Sequence, residues 1–422
     1  MYKYKQTTLK NGLKLITVPM TGTKTITILV MVKTGSKYED RKNNGISHFL
    51  EHMFFKGTKK RPTTLAIAGE LDKVGAEFNA FTSKEYTGYW VKVDSSKINL
   101  AVDIVSDMLL NSKFEQKEIE REKGVIIEEI NMRHDNPMIH IEDVFEECLY
   151  GDSPAGWEVV GEKKTVSKLA RPDLLNYLKS QYGTGSVIIC LAGNIKGDSE
   201  KLISRYFSRL GKTDFKDKVK IKEKQAKPQV KIHYKKTGQA NISLGVRGIP
   251  IGHKDEFILK VLSIILGGSM SSRLFTELRE RKGLAYYVRT QAEFYTDSGY
   301  LTTQAGVPVE KITEAIKIIL SEYKKLKNTL VSGKELRRTK DLIRGRSVIK
   351  LEASDDMAGW YAERAILEGK ILPPENFFKK IDQVKSQDIK KVANKIFVNK
   401  GLNLAIIGPF KDERRFERIL KF

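Results

Sequence analysis

Cysteine is nearly absent from this chain, and so is any segment that would carry it across a membrane. Only Cys148 and Cys190 occur in 422 residues, each inside an apolar stretch and neither in metal-type spacing. This excludes a disulfide scaffold and a cysteine-based zinc finger, and leaves both as small buried side chains. No window approaches the roughly 20 apolar residues of a membrane span. The opening MYKYKQTTLKNGLKLITV carries charge but no continuous apolar run of the kind a signal peptide needs, so the cytoplasm is the expected location. Acidic residues are in the minority, 52 against 75 Lys and Arg, for a formal net charge of +23. The basic residues are interleaved with Glu and Asp along the whole chain, and no RNA-binding signature, zinc finger or basic-helix pattern accompanies them. That distribution reads as a lysine-rich solvated surface, and no nucleic-acid partner is expected.

With 40% hydrophobic residues, the chain can fill a core, and its length suggests at least two domains, since single cores stop growing below about 300 residues. The two halves follow one plan. Residues 186–206 run as an apolar strand, a Gly-containing turn and an amphipathic helix, and residues 402–420 repeat that order, their turn glycines Gly193 and Gly408 lying 215 positions apart. Each half opens with strand-like runs, Thr25 to Val32 and Ala240 to Val246, followed by helical stretches and further strands. Strands and helices without strict alternation predict an α+β fold: two similar sandwich domains related by internal duplication, each a mainly antiparallel sheet packed with helices. The expected division is an N-terminal domain over 1–212, a charged linker over 213–229 that contains Pro228, and a C-terminal domain over 230–422.

Histidine is scarce, six residues in all, yet two of them stand four apart in His48-Phe49-Leu50-Glu51-His52. On a helix, Ile46, Phe49, Leu50 and Met53 form one apolar stripe, and His48, Glu51, His52 and Phe55 form the opposite face. Side chains at i and i+4 are neighbours, about 5–6 Å between Cβ atoms, so both imidazoles can reach one ion while Glu51 reaches water beside it. The spacing H-x-x-E-H is the inverse of the H-E-x-x-H pattern. Catalytic zinc usually takes a third protein ligand. The carboxylate-rich stretch Glu115 to Arg133 is the donor region, and spacing alone leaves Glu122, Glu128 and Glu129 open, with His134 and His140 as further options. Glu142, Asp143, Glu146 and Glu147 either attract basic side chains of a peptide or form a solvated helix face.

These residues resemble the pitrilysin (insulinase-like) metallopeptidases, in particular the half-length type similar to mitochondrial processing peptidase β-subunits. The likeness rests on His48 to His52 with Met53 to Thr58, on Gly75 to Thr82, on Glu122 through Glu129, and on Ser272 to Phe275 with Arg279 and Tyr286. It implies a zinc-dependent endopeptidase that hydrolyses unfolded peptides or presequence-like segments and carries one Zn²⁺ per chain. The implied ligands are His48, His52 and Glu129, which lies 77 positions after His52, with Glu122 orienting a histidine ligand and Glu51 as general base. Asn79, Ala80, Phe81 and Thr82 are implied as an edge strand that binds substrate, and Arg279 and Tyr286 as groups that hold the peptide and stabilise its oxyanion. A half-length chain is further implied to work as a homodimer or with a related subunit. The competing reading is a catalytically silent scaffold or binding subunit of a peptidase pair.

Overall fold

A computed structural model describes residues 3–422. The chain forms two compact units, neither continuous in sequence. The first takes the N-terminal stretch as far as Asn131, Glu158–Val219 and Ser347–Pro374; the second takes Met132–Trp157, Lys220–Arg346 and Glu375–Phe422.

The first unit is built on a six-stranded sheet of β1 (Lys5–Thr8), β2 (Lys14–Pro19), β3 (Thr25–Val32), β4 (Glu77–Thr82), β5 (Thr87–Asp94) and β6 (Val187–Gly193), in the order β1-β2-β6-β3-β5-β4. Only β2 and β6 pair in parallel. The run ThrIleThrIleLeuValMetVal of β3 is buried from its second residue to its last, because both faces of the sheet are covered. Ile26, Ile28 and Val30 face helices α1 (Ile46–Met53), α2 (Thr64–Asp72), α3 (Ile98–Asn111) and α4 (Gln116–Asp135). Leu29 and Met31 point the other way, onto Met357, Ala358 and Tyr361 of the helix Ser354–Glu368.

The second unit holds a five-stranded sheet of β7 (Gln229–Tyr234), β8 (Gln239–Arg247), β9 (Tyr287–Phe294), β10 (Gly299–Pro308) and β11 (Leu402–Gly408), in the order β7-β11-β8-β10-β9. Here too a single parallel pair, β7 with β11, sits among antiparallel ones. Helix α5 (Pro137–Tyr150) covers one face, where Ile141, Val144 and Phe145 pack on Tyr300, Ala405 and Ile407.

Strand for strand, β2-β6-β3-β5-β4 and β7-β11-β8-β10-β9 are the same arrangement, so the chain is two α+β domains of one topology. The compact units nevertheless cut across the expected segments 1–212 and 230–422. Each sheet is apolar on both faces and takes the helix over its second face from the other half of the sequence, Ser354–Glu368 for the first and α5 for the second. Residues 213–226 carry no helix or strand. Among the described residues no helix is long and apolar enough to cross a membrane.

Candidate metal centre

The metal-type pattern lies on α1, whose start is fixed by two features. Gly45 adopts φ +94°, and a Cβ there would meet the Gly161 Cα at 2.9 Å, so glycine is required on both counts. The buried Glu39 carboxylate then accepts from the backbone N–H groups of Gly45 (2.7 Å) and Ser47 (2.9 Å), which occupies donors the first turn leaves open. Burial pushes the Glu39 carboxyl above its usual range, against the hydrogen bonds from Gly45, Ser47 and Asn44. Ile46, Phe49, Leu50 and Met53 are buried, as the apolar stripe requires.

On the other face the two imidazoles meet. His48 Nε2 and His52 Nε2 stand 3.3 Å apart. From α4, anchored by buried Ile119, Ile126 and Ile130, Glu129 brings one carboxylate oxygen to 3.6 Å from His48 Nε2 and the other to 3.5 Å from His52 Nε2. Ligands about 2.1 Å from a tetrahedral zinc lie roughly 3.4 Å from one another, so this spacing fits a zinc ion. The donor set, two nitrogens and a carboxylate, is that of a catalytic site, which keeps a fourth position open. Glu122, one per cent exposed, accepts from His52 Nδ1 at 2.9 Å and pairs with Lys56 Nζ at 2.7 Å. With Nδ1 committed to Glu122, Nε2 is the nitrogen left facing His48 and Glu129, the one a metal ion would take. Burial works against a protonated His52, but the hydrogen bonds and charges of Glu122 and Glu129 outweigh it and lift the imidazole to about 9. The cluster is thus built to hold positive charge.

Glu51 lies on the same face and accepts from the Thr82 hydroxyl at 2.5 Å. Burial raises its pKa, opposed by the Thr82 hydrogen bond and the neighbouring His52. Thr82 ends β4, which is an edge strand of its sheet. Along β4, Phe78, Ala80 and Thr82 face α1, whereas Phe81 turns to the opposite face and packs over Gly88, where a Cβ would come within 2.2 Å of its ring. Asn79 is exposed and accepts from the Ala80 N–H.

The remaining sequence candidates lie elsewhere. Glu128 is exposed on α4. His134 and His140 belong to the second unit, where their rings stack at 4.3 Å and His140 meets His233 edge-on at 4.8 Å. The acidic group on α5 is engaged within that unit: Asp143 pairs with Arg133 at 2.6 Å, Glu146 accepts from Tyr295 and Glu147 from Lys231. Arg279 and Tyr286 are also in the second unit, on and just beyond the π-helical turn Phe275–Arg281. The guanidinium lies 5.8 Å from the Tyr286 ring, which is 76% exposed. Two participants escaped the sequence reading. Lys56, one turn beyond His52, is visible once the polar face is extended, whereas Glu39 gives no local signal.

A family model described as "Insulinase (Peptidase family M16)" matches residues 15–162, and one described as "Peptidase M16 inactive domain" matches residues 168–343. The chain belongs to the insulinase (M16) peptidase family. It is 34% identical over 406 residues to the uncharacterized zinc protease YmxG of Bacillus subtilis, covering 96% of this chain and 98% of that one. An uncharacterized zinc protease of Rickettsia felis is 35% identical over 405 residues, covering 95% and 96%. Among solved structures, a protease from Helicobacter pylori superposes with a TM-score of 0.90 over 97% of this chain and all of that one, at 24% identity. That likeness is one of fold. This chain is therefore of the half-length M16 type, with relatives named as zinc proteases.

Proposed function

We propose that this protein is a zinc-dependent endopeptidase that cleaves unfolded peptides. The observation that carries the reading is the spacing of His48, His52 and Glu129, with Glu51 on the same face. His48, His52 and Glu129 would hold one Zn²⁺, which supplies Lewis acidity to polarise a scissile carbonyl and to make water nucleophilic at neutral pH. Glu51, held by Thr82, takes the proton of the attacking water and returns it to the leaving amine; its raised pKa suits both roles. Glu122 keeps His52 oriented. An extended peptide adds to the edge of β4 through main-chain hydrogen bonds, so its backbone is read more than its sequence. The family resemblance implies Tyr286 as an oxyanion donor and Arg279 as a carbonyl clamp on the substrate, and implies a homodimer or a pair with a related subunit as the working form.

The test is zinc content by mass spectrometry together with cleavage of an unstructured peptide, before and after chelation. About one zinc per chain, with cleavage lost on chelation and regained with zinc, is the expected result. A zinc-loaded chain that cleaves nothing would make it a silent subunit. Glu51→Gln is expected to keep zinc and lower turnover by about 10²–10⁴-fold, the usual weight of a general base.

A further inference from the structure

We infer that the face of the first sheet turned away from α1 carries a subsite for a lysine or arginine side chain of a peptide docked on β4. The inference rests on the strand-addition reading above and adds to it a preference for cationic residues.

The site is a cavity of about 250 Å³ between the sheet and the helix Ser354–Glu368. That volume suits a single side chain better than a small-molecule site. Phe81 of β4, Trp90 of β5 and Trp360 form aromatic walls, and Leu29 of β3 contributes an apolar patch. The Trp360 indole is fixed by a hydrogen bond from Nε1 to the Leu372 carbonyl at 2.8 Å. Asp355, Asp356 and Glu363 line the same cavity. Asp355 pairs with Lys92 at 3.2 Å and Asp356 with Lys350 at 3.3 Å, and Lys92 also pairs with Glu77. The carboxylates Glu77, Asp355, Asp356 and Glu363 thus outnumber the ammonium groups Lys92 and Lys350, in a chain whose net charge is +23. Glu363 makes no hydrogen bond or ion pair among the described residues.

The sheet register links this cavity to the edge. Leu29 pairs with Trp90, and Trp90 with Asn79 of β4. These three residues form one row across the sheet, on the face where Phe81 also lies. A strand added beyond β4 continues that row about 4.8 Å further out, and every second side chain of such a strand points to this face. A lysine or arginine there can lay its aliphatic stem along the tryptophans, place its charge over their rings and reach Glu363. The alternate side chains of the same peptide fall on the α1 face, so one docked strand presents one set of residues to the metal centre and the other to this cavity.

Equilibrium binding tests this on the zinc-loaded, full-length Glu51→Gln protein, whose turnover is expected to be slow enough for binding to equilibrate first. The probes are fluorescent unstructured peptides of neutral sequence, each with a single lysine, norleucine or glutamate moved along its length. Lysine is expected to bind roughly tenfold tighter than norleucine at one position, the order of a cation over aromatic faces beside a carboxylate. Glu363→Gln is expected to shrink that ratio about threefold or more, and Glu363→Lys to favour glutamate instead. Glu363 is exposed on its helix, and circular dichroism checks that both variants are folded. Peptides that bind with no lysine preference, or with one untouched by both variants, would overturn the subsite and leave strand addition intact. No binding by any peptide would overturn both.

Discussion

The two sheets share one strand order, but the helix that follows the second strand of the common plan has opposite uses in the two units. In the first unit that helix is α1, eight residues long, with His48, Glu51 and His52 on the face away from the core. In the second it is the twelve-residue Glu256–Gly267, EFILKVLSIILG, which is apolar and buried on most of its circumference. Two longer helices further along the chain differ in the same way. Helix α4 carries Glu122 and Glu129 towards the histidines, whereas Gly333–Lys350 is basic and buries only Thr339 and Ile343. A duplicated scaffold supplies the same helix position twice, and chemistry follows only where packing gives up one helix face to polar groups.

The sharpest way to break this contrast is to remove a ligand. His52→Ala is expected to take zinc from about one per chain to none and to abolish cleavage, as read by mass spectrometry and peptide assay; retained stoichiometric zinc would mean that a different cluster holds it. In the second unit the loss should be structural instead. Leu262→Ala on Glu256–Gly267, at a fully buried position, is expected to cost about 2–5 kcal/mol in denaturant unfolding while zinc per folded chain stays constant. Glu122→Gln sharpens the picture of α4: zinc affinity should fall about 10–100-fold in chelator competition, since a carboxylate that orients a ligand histidine carries that weight. The smallest effect concerns pH. Glu51 must be ionised to accept a proton, so activity is lost as pH falls through its raised pKa. Thr82→Val removes the hydrogen bond that opposes the rise, and the acid limb of the kcat/KM profile should move to higher pH.

Much of the centre was legible because it is local. The i, i+4 histidines and the stripe Ile46, Phe49, Leu50, Met53 lie within one short helix, and helical periodicity alone orders them. The duplication was legible for a similar reason, as a repeated strand–turn–helix. Glu129 could not be separated from Glu122 and Glu128 by spacing, because three carboxylates on two neighbouring stripes of α4 differ only in what lies opposite them. The domain boundaries were hidden more deeply. Nothing in the periodicity of Ser354–Glu368 or of α5 says which of two similar sheets each will cover, and that choice moves residues 132–157 and 347–374 between units. The orientation of Phe81 away from α1 follows from strand alternation, but only once the register of β4 is known.

The crossed assignment of those two helices has a consequence for the order in which a nascent chain can mature. During synthesis the histidine-bearing helix α1 and the carboxylates of α4 emerge early, yet the sheet they rest on keeps Ile16, Val18, Leu29 and Met31 uncovered until residue 368 has left the ribosome. A ribosome-tethered fragment ending near residue 212 therefore presents a bare apolar sheet face, a natural client for chaperones and a poor candidate for separate expression.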